Sequence, residues 1–454
     1  MNENIFRLYD VRGLISKDLD AAIYEKMGRS FGTLVKRKTG LPQPKVAVGR
    51  DNRQTGAMYQ AAFSNGLLAT GCDAVDIGEL TTPAVYFANF FLNVEAVASI
   101  TASHNPPEYN GLKMRIGEMP VSGLDIKPIF LANEFSQGKG KVSKENVEDA
   151  YVKAVSEENE LAKKLKVVVD CGNGAAGKLA VAALKEIGCE VIPLYCESDP
   201  TYPHHHPDPV KPENYPDLIA AVKREKADLG VMLDGDGDRV CAVEENGNIL
   251  WADSFLILFS REILSQQRGA NIVVEIKCSL SVMDDVAAHG GNAVLCATGY
   301  PNVEKKMVEE NAPLGGEMSG HFYFFGKKKW FSDAIYASCR LCKMISYSDK
   351  TLSEMVADAP KYFSSQEYRL HVSGEENNKV KIVEELVKEF SKEYEVITLD
   401  GARVVFPHGW GLVRYSQNEP VLSMRFESKT EQGLQEIKRV FREKLSKHPV
   451  AASF

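Results

Sequence analysis

Short runs of apolar, mostly β-branched residues recur along this chain with helix-patterned stretches between them, and this alternation restricts the fold more than any other feature. The runs lie at 45–48, 74–77 and 96–100, then at 166–170, 190–194 and 229–233. Strand and helix signals in alternation are the pattern of α/β layers, in which helices cover a largely parallel sheet. The signal restarts at 271–276 and 292–295, with a helical stretch at 282–288 between them, which adds a third unit of the same style. Near residue 366 the texture changes. EYRLHV, a charged amphipathic helix over 375–394, EVITLDGARVVF, VLSMRFES and a last helix over 431–447 read as a separate α+β domain. Polar stretches at 136–148, 245–252 and 359–366 read as boundaries, giving segments 1–148, 149–252, 253–362 and 363–454. The 454 residues, 44% of them hydrophobic, exceed what one core accommodates and supply enough apolar material for several.

A formal net charge of -8 argues against nucleic acid or an anionic membrane as the main partner, so the expected ligand is a small molecule and any phosphate site must be a local gathering of cations. The N-terminus lacks a basic-then-apolar arrangement and no run approaches the roughly 18 apolar residues of a membrane helix, so the expected location is the cytoplasm. Nine cysteines, an odd number scattered over a long chain, make no disulfide framework. Cys339 and Cys342 form a CxxC inside an apolar helical pattern without a second ligand pair, and read as small buried hydrophobes.

Two segments carry the strongest chemistry. TASHNP, residues 101–106, places Ser103 in a polar turn directly after an apolar run, which makes it the candidate phosphoryl carrier. DGDGDR, residues 234–239, repeats aspartate every second position; in an extended loop that spacing sends three carboxylates to one side, and the glycines permit a tight path. Clustered aspartate oxygens suit Mg²⁺, so Asp234, Asp236 and Asp238 are the expected ligands. An EF-hand also opens with alternating acids, and Glu245 falls at its last ligand position. Arg239 nevertheless occupies the obligatory glycine, and the flanks LGVML and VCAV read as strands. A phosphorylated serine beside Mg²⁺ can donate its phosphoryl group, the cation offsetting charge on the transferring oxygens. His104 and Lys113 lie near enough in sequence to position phosphate or move a proton, with Lys113 preferred as general acid/base; the plain alternative for such a lysine is an exposed, solvated charge.

GEMSGH, residues 316–321, offers the carboxylate of Glu317, the hydroxyl of Ser319 and the imidazole of His321, a set that suits vicinal hydroxyls. RYSQNEP, residues 414–420, brings Arg414, Ser416, Gln417 and Asn418 as a cradle for a phosphate dianion. KVVVDCGNGAAG spaces Gly172, Gly174 and Gly177 as GxGxxG after a strand, with Glu197 following a second one, which is a dinucleotide-binding pattern. It ranks second because it leaves DGDGDR, TASHNP and RYSQNEP without a role, and such a turn also serves plain close packing. The histidines of YPHHHPDP, His204 to His206, read as an ordered proline-rich loop near a cleft.

TASHNP, DGDGDR, GEMSGH and RYSQNEP, in this order and at these separations, resemble the α-D-phosphohexomutase family, most closely its bacterial phosphomannomutase/phosphoglucomutase branch. The resemblance spans essentially the whole chain, including FRLYDVRG at 6–13 and the HHHPDP loop. It implies three related α/β domains with mixed sheets and a smaller C-terminal α+β domain around a central cleft. It also implies interconversion of hexose 1-phosphate and hexose 6-phosphate through a phosphoserine and a hexose 1,6-bisphosphate, the latter serving as intermediate and activator. Ser103, Asp234, Asp236 and Asp238 match the family's metal ligands. Arg12, His104, Lys113, Arg239, Lys277 and His321 match residues lining the reacting cleft. Glu317 and Ser319 match sugar contacts, and Arg414, Ser416 and Asn418 match the distal phosphate site. Met318 resembles the glucose/mannose branch, where phosphoglucosamine mutases tend to carry glutamine. The chain departs from the family pattern at Gln417 and Asn418, and Tyr300 stands where some bifunctional members carry histidine. The expected protein is thus an Mg²⁺-dependent enzyme of hexose phosphates, a monomer or dimer. Its rivals are a phosphoglucosamine mutase, a catalytically weak sugar-phosphate sensor, a phosphatase sharing the phosphoserine, and an NAD-dependent dehydrogenase.

Overall fold

A computed structural model describes residues 2–325, 329–372, 378–416, 421–448 and 450. The apolar runs are strands. In the first sheet Asp73–Glu79, Lys45–Arg50 and Ala96–Ile100 lie side by side and parallel, and Tyr109–Ile116 and then Val11–Leu14 extend the sheet antiparallel. In the second, Glu190–Leu194, Lys166–Asp170 and Leu229–Leu233 are parallel and Val240–Glu244 is antiparallel. In the third, Asn292–Cys296, Asn271–Glu275 and Leu314–Gly316 are parallel. Each of these three sheets therefore repeats the same order, with the first strand of the unit between the second and the third. The inner parallel strands Lys45–Arg50, Ala96–Ile100, Lys166–Asp170, Leu229–Leu233 and Asn271–Glu275 are buried along nearly their whole length, which is why they read as near-continuous apolar runs, whereas Glu190–Leu194 and Asn292–Cys296 are partly exposed.

TASHNP, DGDGDR and GEMSGH each follow the third strand of their unit, after Ile100, after Leu233 and at Gly316. They occupy one topological position, at the carboxyl ends of parallel strands, where open α/β sheets bind ligands. In the first unit, helix Ala21–Thr39 starts on the Asp20 side chain, which accepts from Ile23 N at 2.8 Å, and ends on Gly40 in the left-handed region. It lies against helix Gly56–Thr70 through Gly28 and Gly66, where an added Cβ would fall 2.0 Å from a backbone oxygen of the partner helix at either position.

The C-terminal sheet is antiparallel, ordered Phe363–Ser364, Val421–Ser428, Gly409–Tyr415, Ala402–Phe406 and Glu395–Ile397, with Tyr368–His371 also on Val421–Ser428. Helices Asn378–Phe390 and Glu431–Leu445 bury Ile382, Leu386, Phe390, Ile437 and Phe441 against it. The run EVITLDGARVVF forms two strands, with Gly401 at φ +89° turning the chain between them. The polar stretch 136–148 is likewise more than a linker: Val142–Lys144 adds a parallel edge strand beside Asp73–Glu79. All three of its residues are exposed, so it holds by backbone pairing and left no apolar pattern.

The chain packs as two compact units, one of Met1–Trp251, Ser319–Phe324 and Lys328–Met355, the other of Ala252–Met318, Phe325–Lys327 and Val356–Phe454. Residues 1–148 and 149–251, read in the sequence as parts of separate segments, thus share one unit. All nine cysteines are free, and every one except Cys196 is buried, Cys339 and Cys342 among them, as expected for small hydrophobes. No helix among the described residues is long and apolar enough to cross a membrane.

Candidate active site

Ser103 is buried with its backbone at φ +51°, a left-handed conformation that costs a non-glycine residue about 1 kcal/mol or more. Local bonds hold it there: its N–H donates to Thr101 Oγ1 at 2.8 Å, and its carbonyl accepts from the Arg53 guanidinium at 2.8 Å. The side chain is thereby aimed at the aspartate loop. Ser103 Oγ donates to Asp234 Oδ2 at 2.9 Å and lies 3.1 Å from His104 Nδ1.

The aspartate loop is a tight turn and not the extended segment that the alternation suggested. Gly237 N donates to Asp234 O at 3.1 Å, and Gly237 takes φ +74° at a point where a Cβ would press on Thr81 at 2.7 Å. The turn still gathers the carboxylates, and one oxygen from each of Asp234, Asp236 and Asp238 lies within 4.8 Å of the others. Asp234 Oδ1 accepts from the N–H groups of Asp238 and Arg239 at 3.0 and 3.1 Å, and its Oδ2 also accepts from Arg239 Nε at 3.0 Å. Asp236 Oδ2 accepts from Lys113 at 2.7 Å, Thr82 at 2.6 Å and Thr101 at 3.2 Å. Lys113 donates to Asp238 Oδ2 as well, at 2.6 Å. Lys113 is therefore a buried bridge and not the exposed, solvated charge of the plain reading. It arrives on strand Tyr109–Ile116, which pairs with Val11–Leu14 so that Arg12 stands opposite Gly111; the Arg12 guanidinium bonds Asp10 and Asn105 of the serine loop.

Asp236 Oδ1 and Asp238 Oδ1 are buried without a hydrogen-bond partner among the described residues, the nearest group recorded to the latter being His321 Nε2 at 3.4 Å. Unpartnered buried carboxylate oxygens are expensive. Two of them facing a third carboxylate and a serine hydroxyl fit a hard divalent cation with all-oxygen ligands. Burial, then the neighbouring charge of Asp238, pushes the Asp234 carboxyl up to about 7, the response of an acid cluster short of positive charge. Burial acts the same way on Asp238, yet Lys113 and His321 hold its carboxyl well below the usual range. Burial would lower Lys113, but Asp236 and Asp238 keep its ammonium well above the ordinary value. Burial, reinforced by Arg239 and Arg12, drives His104 well below its usual range, so a neutral imidazole faces Ser103.

The GEMSGH run is divided between the packing units: Ser319 and His321 belong with Ser103, and Glu317 belongs to the other unit. Ser319 Oγ lies 2.8 Å from His321 Nδ1. In the second unit Glu317 accepts from Gly299 N at 2.7 Å, and Lys277 stands 4.0 Å from Glu275 and 3.7 Å from Glu367. Burial raises the Glu275 carboxyl, and Lys277 offsets this only in part. Arg414 donates to Asp400 at 2.8 Å, and Ser416 N donates to Val421 O at 2.9 Å. Gln417 and Asn418 lie outside the described residues.

Sequence reasoning passed over Arg53, Thr82, Thr101 and Asp208 around the serine and aspartate loops, and Glu275, Glu367 and Asp400 around Lys277 and Arg414. Asp208 pairs with Arg239 at 3.3 Å. The two signals available were RDNR at the end of one strand and Glu275 at the end of another, and neither is interpretable before the sheet order is known. The glycine-rich turn does serve packing: a Cβ on Gly174 would meet Gly235 of the aspartate loop at 2.9 Å, and one on Gly177 would meet Cys196 O at 1.9 Å. Its glycines are pressed against this chain's own backbone, and Ala175 N donates to Gly235 O at 3.0 Å. The triple histidine is an ordered loop. His204 stacks on Tyr195 at 3.8 Å, His205 Nε2 lies 3.0 Å from Asp170, and His206 meets the carbonyl of His104.

Four family models match consecutive parts of the chain. They are described as phosphoglucomutase/phosphomannomutase alpha/beta/alpha domain I over residues 3–125, domain II over 149–247, domain III over 251–363, and the C-terminal domain over 372–444. The chain is 40% identical to a phosphomannomutase/phosphoglucomutase of Pseudomonas putida across 98% of its own length and 96% of the relative's. It is 35% identical to a phosphoglucomutase of Neisseria gonorrhoeae, covering 99% and 98%. A crystal structure of a phosphoglucomutase/phosphomannomutase family protein from Burkholderia thailandensis superposes with a TM-score of 0.91 at 36% identity, covering 98% of both chains.

Proposed function

This chain belongs to the phosphoglucomutase/phosphomannomutase family and is an intramolecular phosphotransferase of that class, and we propose that its turnover runs through a phosphorylated Ser103. The observation that carries the reading is the Ser103 hydroxyl, 2.9 Å from Asp234 in a buried site where Asp236 and Asp238 each keep an oxygen without a hydrogen-bond partner among the described residues. In the first half-reaction a hydroxyl of a hexose monophosphate attacks the phosphoryl group on Ser103. The bond from phosphorus to the serine oxygen breaks, a bond to the sugar oxygen forms, and the hydroxyl proton passes by way of the general acid/base to the serine oxygen, which regains its hydroxyl. The hexose 1,6-bisphosphate then reorients and returns its other phosphoryl group to Ser103, so that a 1-phosphate becomes a 6-phosphate.

Asp234, Asp236, Asp238 and Ser103 would hold Mg²⁺, which when bound offsets negative charge on the transferring oxygens. Lys113 is assigned as general acid/base; its contact with two carboxylates supports a stored proton. His104, neutral beside Ser103 Oγ, orients that oxygen. Arg12 and Arg239 hold the transferring group; Arg239 supports this with a buried Nη2 that has no hydrogen-bond partner among the described residues. Lys277, Glu317, Ser319 and His321 are assigned to the sugar, and Arg414, Ser416, Gln417 and Asn418 to the distal phosphate. Segments 1–148, 149–252, 253–362 and 363–454 are assigned as the domains carrying, in turn, the phosphoserine, metal, sugar and phosphate loops. The substrates are glucose and mannose phosphates, supported by the names of the relatives and by Met318, and the enzyme works in the cytoplasm as a monomer or dimer.

The test is turnover of glucose 1-phosphate and mannose 1-phosphate with Mg²⁺ and a trace of glucose 1,6-bisphosphate, followed as 6-phosphate formation. Conversion of either sugar is expected. Binding without turnover points to an amino-sugar substrate or a sensor, and release of inorganic phosphate points to a phosphatase.

A further inference from the structure

Arg53 uses every donor of its guanidinium, and all but one of its bonds end on the loop that carries Ser103. Nη1 donates to Pro106 O at 2.7 Å and Tyr109 O at 2.9 Å, and Nη2 donates to Ser103 O at 2.8 Å and Asn105 O at 2.6 Å. Nε donates to Asp51 Oδ2 at 3.2 Å. A guanidinium carries five N–H donors in a rigid planar fork, and here five acceptors meet them. The side chain is 1% exposed, as is that of Asp51, which neutralises it. Asp51 is itself fixed, since its N–H donates to Ile100 O at 3.0 Å and its Oδ1 accepts from Arg53 N at 3.0 Å.

We infer that Arg53 is a positioning residue for phosphoryl transfer, holding the 103–109 loop in the one path that aims Ser103 Oγ at the aspartate turn. The inference rests on the reading of Ser103 as phosphoryl carrier. Four carbonyl oxygens pointing to one spot repel each other, and buried carbonyls require donors, so this loop path exists only around a cation with divergent hydrogen bonds. Lysine supplies positive charge at one point and three donors, which do not span four carbonyls and Asp51. The carbonyl of Ser103 is one of the four, so the bond acts on a residue that is already in the left-handed region. Its acceptors are confined to the loop and Asp51, and none is a side chain of the hydrophobic core, so removing the guanidinium releases the loop rather than the domain.

The test compares Arg53→Lys, Arg53→Gln and Ser103→Ala with the parent protein, by melting temperature, kcat and KM for glucose 1-phosphate, and the rate at which glucose 1,6-bisphosphate loads phosphate onto the enzyme, read by intact mass. Displacing a reacting group by about 1 Å costs on the order of 100-fold in rate. Arg53→Lys is therefore expected to lower kcat and the loading rate by about that factor, with KM and the melting transition close to the parent's. Should Arg53→Lys not fold, Arg53→Gln, which keeps two amide donors, carries the same expectation. Parental kcat and loading in the folded variants overturn the inference. So does unfolding of both variants, which would make Arg53 a support of the domain. Retained turnover in Ser103→Ala instead overturns the phosphoserine reading, and loss there with parental rates in Arg53→Lys removes only the role of Arg53.

Discussion

A serine hydroxyl is a poor nucleophile and a poor leaving group until its charge and direction are controlled, and at Ser103 both are set by neighbours within hydrogen-bonding distance. Ser103→Ala is expected to lower mutase turnover by at least about 10³-fold, the scale of losing an indispensable group, with an unchanged melting temperature. Asp236→Asn leaves an acceptor for Lys113, Thr82 and Thr101 but removes one of three converging charges. The Mg²⁺ concentration for half-maximal rate should rise by on the order of 10- to 100-fold, read in an Mg²⁺ titration of kcat. An unchanged Mg²⁺ dependence would place the cation elsewhere. The aspartates and Ser103 were legible because their chemistry is written in the spacing of two short segments. Thr82 was not, since it meets Asp236 across 154 residues. Nor was Arg53, four of whose five acceptors are backbone carbonyl groups that every residue possesses.

Among elements, the strands were legible where apolar residues run together, at the half-buried Glu190–Leu194 as well as in the buried inner strands, and Val142–Lys144 was not, because an exposed edge strand needs no apolar side chain. Helix Ala334–Ser346 shows what an element end can hide. Its N-cap, Asp333, is buried and accepts from Ile335 N at 3.0 Å, Tyr336 N at 2.9 Å and Tyr151 Oη at 2.9 Å. Burial nevertheless pushes its carboxyl up to about 7, the cap and tyrosine hydrogen bonds offsetting only part of the effect. The folded chain thus holds this proton more tightly than the unfolded chain, where an aspartate titrates near about 3.9. The stability it confers is complete below about pH 4 and drains as pH rises to about 7. Asp333→Asn keeps an acceptor for the cap and has no charge to bury. Urea midpoints at pH 4.5 and 8 should differ less in this variant than in the parent, by an amount equivalent to at most about 4 kcal/mol. Equal pH dependence in both proteins would show that Asp333 is ionised throughout.

At the scale of the molecule, parts distant in sequence share one packing unit, and single buried groups join them. Glu427, fully buried in the C-terminal sheet, accepts from Trp410 Nε1 at 2.9 Å and from Leu280 N, at the start of helix Leu280–Ala288, at 2.7 Å. Glu427→Ala strands these two donors and the Ser364 hydroxyl, which donates to Glu427 Oε1 at 2.6 Å, and should cost about 3 kcal/mol, visible in the urea transition followed by tryptophan fluorescence, whereas Glu427→Gln retains an acceptor and should lose less. Similar losses in the two variants would mean that the carboxylate charge, and not the hydrogen bonds, ties helix to sheet. The sequence by itself determined the α/β layering, the α+β texture after residue 366, the serine and the aspartate cluster, because periodicity and local spacing are properties of adjacent residues. Only the tertiary structure decided that the aspartates converge through a turn, that Lys113 is buried between two of them, and that Arg53 lies beneath the serine loop. Those depend on which strand ends become neighbours in a sheet, and strand order is settled by packing across long separations.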